Sequence, residues 1–247
     1  MQQITSSLSG SASEPAPKDL PDPAQAPGFV IALSGGLDSA VLCAMLCAQY
    51  TPKAVHPVFF LYGSKHNTWE QRAAKAVAAH FGLTLANLDL RPCFADVRSA
   101  LLAHDKRDIP LAVYDEHSMA QTVVPGRNLL FVASLASLAQ SKNAPYVALA
   151  THSGDHHLYP DCRPEFNEAL NHCIRLGSDG AVRLVTPFSA MSKADIVRLG
   201  LSLAAPLHLT RSCYLGQEKA CGRCGTCRER LDAFAQCGKP DPVPYSI

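Results

Sequence analysis

The chain has 247 residues, of which 47% are hydrophobic and 17% charged, values that are typical of a globular domain and argue against a fibrous or largely disordered protein. Its formal net charge of +1 creates no overall field that would favour a nucleic-acid backbone or an anionic membrane. The longest apolar runs, at 40–48 and 129–133, are shorter than the ~20 residues that a membrane-spanning helix needs, so we expect no such helix.

Residues 1–28 are rich in Ser, Ala and Pro and lack the apolar block of a signal peptide. We therefore predict a disordered tail over this segment and a cytoplasmic protein. The chain also contains ten cysteines, and without a secretory signal they favour reduced thiols and a metal site over a disulfide framework.

An apolar run from Phe29 to Leu33 leads into a Ser-Gly-Gly turn and then into an almost wholly apolar stretch from Asp38 to Gln49. This pattern predicts a buried strand, a tight turn and a buried helix. The same alternation continues along the chain. Further strands are predicted at 55–62, 83–90 and 146–150, and further helices from the capping-box spacing at 68–71 to Gly82, at 129–139, at 164–177 and at 192–200.

The alternation of strands and helices predicts an α/β fold, with a doubly wound, mainly parallel sheet and helices on both faces. We expect the nucleotide-binding domain to cover 29–202. Residues 91–124 have weak periodicity, and we interpret them as a helix fragment plus a mobile connection that could act as a lid. From Leu203 onward the alternation stops and cysteines concentrate, which predicts a helical, zinc-binding appendage over 203–247.

The Gly-Gly turn is typical of an anion site, because backbone N–H groups can approach a phosphate at the positive end of the helix dipole. Two serine hydroxyls add donors, while Asp38 indicates either a Mg²⁺ ion or a helix cap. The alternative is a glycine turn that serves only the tight packing of strand against helix. The candidate phosphate-loop residues are Ser34, Gly35, Gly36, Leu37, Asp38 and Ser39.

Four cysteines near the carboxyl terminus have metal-ligand spacing, with two consecutive Cys-x-x-Cys steps and one remote cysteine. Four thiolates suit a closed tetrahedral Zn²⁺ site, and free thiols or an iron–sulfur cluster are the alternatives. Cys43 and Cys47 lie one turn apart on the first predicted helix and are expected in the core. The candidate ligands are Cys213, Cys221, Cys224 and Cys227.

At residues 34–39 the chain resembles the PP-loop ATP pyrophosphatases, which cleave ATP between its α- and β-phosphates and form an adenylate. Over nearly the whole chain after residue 28, it resembles the 7-cyano-7-deazaguanine synthases of queuosine precursor biosynthesis. The Tyr-Pro-Asp-Cys-Arg segment and the cysteine spacing discriminate better than the phosphate loop alone. The segments that carry the resemblance are 34–39, 62–66, 124–128, 159–166 and the four-cysteine end.

The resemblance implies ATP-dependent adenylation of 7-carboxy-7-deazaguanine and its conversion with ammonia to 7-cyano-7-deazaguanine. A first adenylation would let ammonia displace AMP and give an amide, and a second would activate the amide oxygen so that its loss leaves the nitrile. ATP, Mg²⁺ and Zn²⁺ are the implied cofactors. A homodimer is expected, and no direct contact with nucleic acid is expected.

The resemblance also implies roles for individual side chains. The implied catalytic residues are Asp38, Lys65, Arg127, Arg163 and Lys193. The implied substrate-binding residues are His66, Asn128, Asp155, Tyr159, Asp161, Arg163 and Glu165. The cationic members would neutralise phosphate charge or fork onto a carboxylate. The alternative is that several of them only pair with each other, with Asp161 and Arg163 capping the following helix, and that His66 makes only a structural hydrogen bond.

Two segments depart from the usual family pattern. Residues 155–158 read Asp-His-His-Leu where the family has Asp-Tyr/Phe-Ser-Gly, and residues 62–66 read Tyr-Gly-Ser-Lys-His instead of the commoner Tyr-Gly-Gln-Arg-His. Such changes bear on specificity, because a misfit of one buried polar group costs about 1–3 kcal/mol. Three alternatives stay open: transfer to another amine, which could belong to a protein; a second metal site at His152, Asp155, His156 and His157; and a zinc-containing tRNA-binding module.

Overall fold

The computed structural model describes residues 16–25, 28–111 and 120–247. The strands are β1 (Phe29–Ala32), β2 (Val55–Leu61), β3 (Ala86–Asp89), β4 (Tyr146–Ala148) and β5 (Arg183–Val185). The α-helices bounded within these residues are α1 (Leu37–Tyr50), α2 (Asn67–His80), α3 (Arg127–Ser141), α4 (Pro164–Gly177), α5 (Lys193–Ser202) and α6 (Gly225–Gln236). In this part of the chain, no helix has both the length and the apolar character needed to cross a bilayer.

The five strands form one parallel sheet in the order β3-β2-β1-β4-β5. Phe29 of β1 is paired with Val55 on one side and with Tyr146 on the other, so β1 is the central strand. Successive strands are added outward from β1 in both directions, which is the doubly wound arrangement predicted from the sequence. The sequence pattern does not predict β5, because its three residues are too few to show a period.

Two apolar layers cover the sheet, one on each face, as predicted. Phe29 and Ile31 lie in the layer built with α1, α2, α5 and α6, whereas Val30 lies in the layer built with α3 and α4. This alternation along β1 is what a strand buried on both faces requires. Helix α1 is buried at nearly every position and includes Cys43 and Cys47, so the prediction that both are core residues is confirmed.

The beginnings of two helices match the sequence signals. Helix α5 starts with a complete capping box, in which the Asp195 N–H donates to Ser192 Oγ at 3.2 Å and the Ser192 N–H donates to the Asp195 carboxylate at 2.8 Å. Helix α4 begins at Pro164 and ends at Gly177, as predicted. These ends are local features, and each is encoded within a few residues.

Two other predicted helix ends are wrong. The capping-box spacing at 68–71 does not start α2, which begins one residue earlier at Asn67. Gly200 does not end α5, because the helix continues to Ser202. A Cβ at Gly200 would lie 2.8 Å from a methyl group of Val41, so this glycine permits α5 to approach α1 closely.

Part of the segment predicted to be a disordered tail contacts the body of the protein. The Tyr50 hydroxyl donates to the Pro21 carbonyl at 2.6 Å, and the Lys18 N–H donates to the Pro187 carbonyl at 3.1 Å. Residues 1–15 and 26–27 of that prediction lie outside the described residues.

The predicted lid at 91–124 is described except for 112–119, which lie outside the described residues. Its described part begins with a 3-10 turn, and Phe94, Leu101 and Leu102 are buried in the layer with α3. Leu102 also forms an antiparallel bridge with Ser64. The described part of this segment is therefore packed against the body, and movement as a lid stays a prediction.

The carboxyl-terminal region shares a core with the rest of the fold. Leu207, Ala233 and Phe234 lie in the same apolar cluster as α1, while the four cysteines form a small cluster of their own. This region therefore packs against the sheet domain through the contact of α6 with α5. The boundary between 202 and 203 stays a prediction.

Candidate active site

A cleft of about 230 Å³ opens at the carboxyl ends of β1, β2 and β4. The strand order reverses between β1 and β4, and open α/β sheets bind ligands at such a position. A larger cavity of about 470 Å³ lies beside β5, and none of the predicted site residues lines it. The predicted site residues that line the cleft are Ser34, Gly36, Asp38, Ser39, His66, Arg127, Asn128 and Asp155.

The predicted phosphate loop, 34–39, turns from β1 into α1 at this cleft. Gly35 has a φ of +81°, and a Cβ there would lie 2.4 Å from the Glu70 carbonyl oxygen. Only glycine fits this position, because the backbone conformation and the close approach of α2 both exclude a side chain. Leu37 does not reach the cleft, since its side chain is buried in the core.

Two hydroxyl groups shape the inner surface of the loop. Ser34 Oγ and Ser39 Oγ are 3.0 Å apart, and the Gly36 N–H donates to Ser34 Oγ at 3.2 Å. They lie where α1 begins, at the positive end of its dipole. The loop therefore offers hydroxyl groups and a helix N-terminus to an anion.

An ion pair lies at the end of the phosphate loop. Lys193 Nζ, in the first turn of α5, is 2.7 Å from Asp38 Oδ2 and 3.3 Å from Glu229 Oε2 on α6. Burial opposes the charge of Lys193, but Asp38 and Glu229 outweigh it and raise the pKa of the ammonium. Burial likewise opposes the charge of Asp38, but the Lys193 ammonium outweighs it and lowers the pKa of the carboxyl. Both groups are therefore charged at neutral pH.

His152 and Asp155 lie beside this pair. His152 Nε2 is 3.5 Å from Asp155 Oδ2 and 3.7 Å from Glu229 Oε1, while its Nδ1 accepts the Gly154 N–H at 3.1 Å. Burial, followed by the charge of Lys193, lowers the pKa of His152 to about 3. Burial raises the pKa of Asp155 to about 7. The imidazole is thus neutral, and Asp155 exchanges its proton near neutral pH.

The second metal site considered at the histidines receives no support from the geometry. Within the described ranges, only the four cysteines bring three or more candidate ligand atoms together. His156 Nε2 is buried without a hydrogen-bond partner among the described residues, and His152 is already bonded through Nδ1. The described geometry therefore does not bring these histidines together as a ligand set.

Arg127 and Asn128 stand at the start of α3. The guanidinium carbon of Arg127 lies 5.9 Å from the centre of the Tyr159 ring. The Asn128 N–H donates to Asp161 Oδ2 at 3.0 Å, and its side-chain amide donates to the Asp161 carbonyl at 3.0 Å. Asp161 thus binds the first turn of α3, not the following helix. Tyr159 is buried, and its hydroxyl lies 3.4 Å from the Tyr214 hydroxyl.

His66 lines the cleft and contacts Glu70 and Tyr214. Its Nε2 is 3.4 Å from Glu70 Oε1, and its ring centre is 5.2 Å from that of Tyr214. Nδ1 is buried and has no hydrogen-bond partner among the described residues. The geometry accommodates both alternatives, a structural contact through Nε2 and a ligand contact through Nδ1.

Several predicted site residues do not line the cleft, among them Lys65, Arg163 and Glu165. Lys65 Nζ donates to the Arg107 carbonyl at 2.5 Å, and Arg163 Nε donates to the His156 carbonyl at 3.0 Å. Glu165 is exposed in the first turn of α4. None of the three lines the cleft in this structure.

The cysteine-rich segment supplies site residues that the sequence analysis missed. Glu229 follows Cys227, the last predicted metal ligand, by two positions and reaches Lys193. These residues lie within two positions of the predicted metal ligands in the chain. A side chain next to a buried ligand must point in another direction, so this spacing could have identified them as candidates. The missed residues that line the cleft include Arg211, Ser212, Tyr214 and Thr226.

The four predicted ligands are brought together. Their Sγ atoms lie within 4.8 Å of one another, and all four side chains are buried. The Cys221 N–H donates to Cys213 Sγ at 3.3 Å, and the Arg223 and Cys224 N–H groups donate to Cys221 Sγ at 3.3 and 3.2 Å. Four sulfurs with backbone N–H donors fit a thiolate-bound metal.

The sequence of the chain is similar to those of known proteins. The family model for "Queuosine biosynthesis protein QueC" matches residues 28–238. A 7-cyano-7-deazaguanine synthase from Caldicellulosiruptor saccharolyticus is 40% identical over 218 residues, covering 88% of this chain and 95% of the relative. The synthase from Desulfotalea psychrophila is 42% identical over 218 residues, covering 88% of this chain and 98% of the relative.

Among solved structures, NMN synthetase from Francisella tularensis aligns with a TM-score of 0.48 at 19% identity, covering 86% of this chain and 77% of that chain. The family assignment rests on the sequence matches, which extend from the phosphate loop through the four cysteines. The chain belongs to the QueC family of queuosine biosynthesis proteins, the family that the sequence segments had indicated.

Proposed function

We propose that the protein is an ATP-dependent 7-cyano-7-deazaguanine synthase. In the proposed reaction, the carboxylate of 7-carboxy-7-deazaguanine attacks the α-phosphorus of ATP, and pyrophosphate leaves. Ammonia then attacks the acyl carbon and displaces AMP, which gives the amide. The amide oxygen attacks the α-phosphorus of a second ATP, and a second pyrophosphate leaves. Loss of AMP and of both amide N–H protons then leaves the nitrile.

The observation that carries this proposal is the Asp38–Lys193 ion pair at the end of the phosphate loop, in which Asp38 lines the cleft. Lys193 supplies positive charge where the leaving pyrophosphate would gather negative charge, so its contact would strengthen in the transition state. Asp38 Oδ1 is buried without a hydrogen-bond partner among the described residues, which suits a Mg²⁺ ligand. Mg²⁺ would offset phosphate charge there.

Three further residues that line the cleft suit the acid substrate. We assign Arg127 to the carboxylate, because it lines the cleft and its guanidinium can fork onto two oxygens. His66 and Asn128 also line the cleft and are assigned to the purine-like ring. Tyr159 is assigned to the support of Arg127, since its buried ring lies 5.9 Å from the guanidinium carbon.

Asp155 is the proposed binding group for ammonium. Ammonia attacks a carbonyl carbon only after losing the fourth proton of ammonium, so a nearby acceptor is needed. Asp155 lines the cleft, and burial raises its pKa to about 7, which lets it take a proton at neutral pH. The neutral His152, 3.5 Å away, adds no charge that would repel the ammonium.

The remaining predicted roles are proposals without cleft geometry. Lys65 and Arg163 are proposed to contact phosphate, and each would have to leave the carbonyl oxygen it now binds. Glu165 and Asp161 are proposed to bind the substrate from the edge of the site. For the four cysteines we propose Zn²⁺, which would cross-link the segment that carries Glu229 and Thr226.

The test is formation of AMP and pyrophosphate from ATP, dependent on 7-carboxy-7-deazaguanine and ammonium. Asp38→Asn should lower the rate about a hundredfold or more, because it weakens the hold on Lys193 and Mg²⁺. The matched control is Asp232→Asn on α6, where the carboxylate is exposed, and it should stay within about twofold. ADP as the product, or AMP with amide or a protein adduct as the end point, would contradict the proposal.

A further inference from the structure

Arg211 contacts the phosphate loop through its backbone. Its N–H donates to the Gly35 carbonyl at 2.7 Å, on the loop turn that also rests against α2. A Cβ on Gly35 would be 2.4 Å from the Glu70 carbonyl, so this turn has almost no free space on the α2 side. The position of the loop is therefore set jointly by α2 and by residue 211.

The Arg211 side chain reaches two further elements. It is 7% exposed, and its guanidinium nitrogens donate to the Glu218 and Lys219 carbonyls at 2.6 and 3.2 Å. Both carbonyls lie in the stretch between the first two cysteine ligands. The guanidinium carbon also lies 5.2 Å from the centre of the Trp69 ring on α2. One buried side chain thus joins the cysteine segment to α2, while its backbone holds the loop.

Arg211 is also one of the residues that line the cleft, and its Nε has no hydrogen-bond partner among the described residues. A guanidinium that donates to two carbonyls and lies against an aromatic ring is held in place rather than mobile. Lysine cannot reproduce this arrangement, because a single ammonium lacks the planar fork that reaches two carbonyls at once.

We propose that Arg211 is a positioning residue that couples the four-cysteine site to the phosphate loop, so that metal loading and ATP binding strengthen each other through this side chain. This inference rests on the proposed ATP site. When the cysteines hold their metal, the Glu218 and Lys219 carbonyls are fixed, and Arg211 holds Gly35 against α2. Loss of the metal frees those carbonyls and loosens the loop.

The test uses Trp69, which is the single tryptophan of the chain and lies against Arg211. Its fluorescence is followed while ATP with Mg²⁺ is added to the full chain, before and after treatment with a zinc chelator. In the wild type we expect an emission change on ATP addition and about tenfold weaker ATP binding after chelation. In Arg211→Gln, we expect about tenfold weaker binding at the outset and less than about twofold further loss on chelation, because two changes acting through one contact are not additive.

The matched control is Arg72→Gln, which removes the other guanidinium near Trp69, 4.8 Å from the ring centre, and leaves the loop and the cysteine segment untouched. It should change the emission spectrum but not ATP affinity. If Arg211→Gln fails to fold by circular dichroism, Arg211→Lys replaces it, with weaker binding and a reduced chelation effect expected. Additive losses, or unchanged ATP affinity in a folded Arg211 variant, would overturn the inference. A wild type that binds no ATP would overturn the proposed function, and this inference with it.

Discussion

Lys193 Nζ lies 2.7 Å from Asp38 Oδ2, although the two residues are 155 positions apart in the chain. Each stands in the first turn of its helix, and the close packing of α5 on α1 brings the two turns together. Gly200 permits this packing, since a side chain there would meet Val41. A packing feature of the core therefore determines where the charge of the cleft lies.

Replacing Lys193 should impair both stability and turnover. Lys193→Gln leaves the largely buried carboxylates of Asp38 and Glu229 without their shared cation. Removing one partner of a buried ion pair lowers the free energy of unfolding by about 3 kcal/mol. The adenylation rate should fall about a hundredfold or more. Urea unfolding and an AMP assay measure the two effects. Lys239→Gln, at an exposed position, serves as control, and equal behaviour of the two variants would contradict the assignment.

Asp155 should make the folded state less stable as the pH rises. Its pKa is raised from 3.8 to about 7, so between these values the folded chain holds a proton that the unfolded chain has released. Stability from this group is lost through that window. The free energy of unfolding of Asp155→Asn relative to wild type should therefore increase from pH 4 to pH 7 by about 1 kcal/mol or more and then level off. A difference that is flat with pH would contradict the raised pKa.

His152 should act in the opposite direction. Its pKa is lowered from 6.5 to about 3, so between these values the unfolded chain holds a proton that the folded chain lacks. The wild type therefore gains stability from this group as the pH rises through that window. In His152→Gln this gain should disappear, and urea unfolding at several pH values would measure it. A variant that keeps the wild-type slope would show that the imidazole is not held neutral.

The cysteine cluster should bind one metal ion per chain. Loss of that ion should destabilise the carboxyl-terminal region. Zinc gives a colourless protein, whereas an iron–sulfur cluster absorbs visible light, so elemental analysis with an absorbance spectrum identifies the metal. Cys224→Ser should lose the metal and lower the melting temperature. Cys173→Ser is the control, because Cys173 is exposed and lies outside the cluster. Full metal content in Cys224→Ser would contradict the ligand assignment.

A buried ion pair fastens the chain after α6. Arg230 Nε is 2.7 Å from Asp241 Oδ2, and Nη1 donates to Thr210 Oγ1 at 2.6 Å. Arg230→Met should lower the free energy of unfolding by about 3–5 kcal/mol, because it leaves Asp241 charged and buried. Adding Asp241→Leu should restore part of that loss, as measured by urea unfolding. Arg228→Met, at an exposed position, should be neutral, and an equal effect at both arginines would contradict the account.

Local signals in the sequence predicted much of the fold and of the loop. The Ser192 capping box, the Pro164 helix start and the Gly-Gly turn are each encoded within a few residues, and all three have the predicted form. The predicted helix end at Gly200 is wrong, because the role of this glycine depends on a contact with Val41 that no local pattern reveals.

The site was harder to predict, because it depends on which side chains meet across the sheet. Lys193 and Asp38 were predicted separately and are paired, whereas Glu229 was missed because only the packing of α6 brings it to Lys193. Lys65 lies in a segment that carries the family resemblance but donates to the Arg107 carbonyl outside the cleft. Motif spacing therefore identified the candidates, and tertiary packing decided which of them share the cleft.

The most direct test follows the oxygens of the acid. With 7-carboxy-7-deazaguanine labelled by oxygen-18 at both carboxylate positions, ATP, Mg²⁺ and nitrogen-15 ammonium, mass spectrometry of the products traces both activation steps. We predict a nitrile that carries nitrogen-15, together with two AMP molecules for each nitrile, each containing one oxygen-18 atom. Label in ADP or inorganic phosphate, or unlabelled AMP beside an amide that retains its oxygen, would contradict adenylation of the acid and then of the amide.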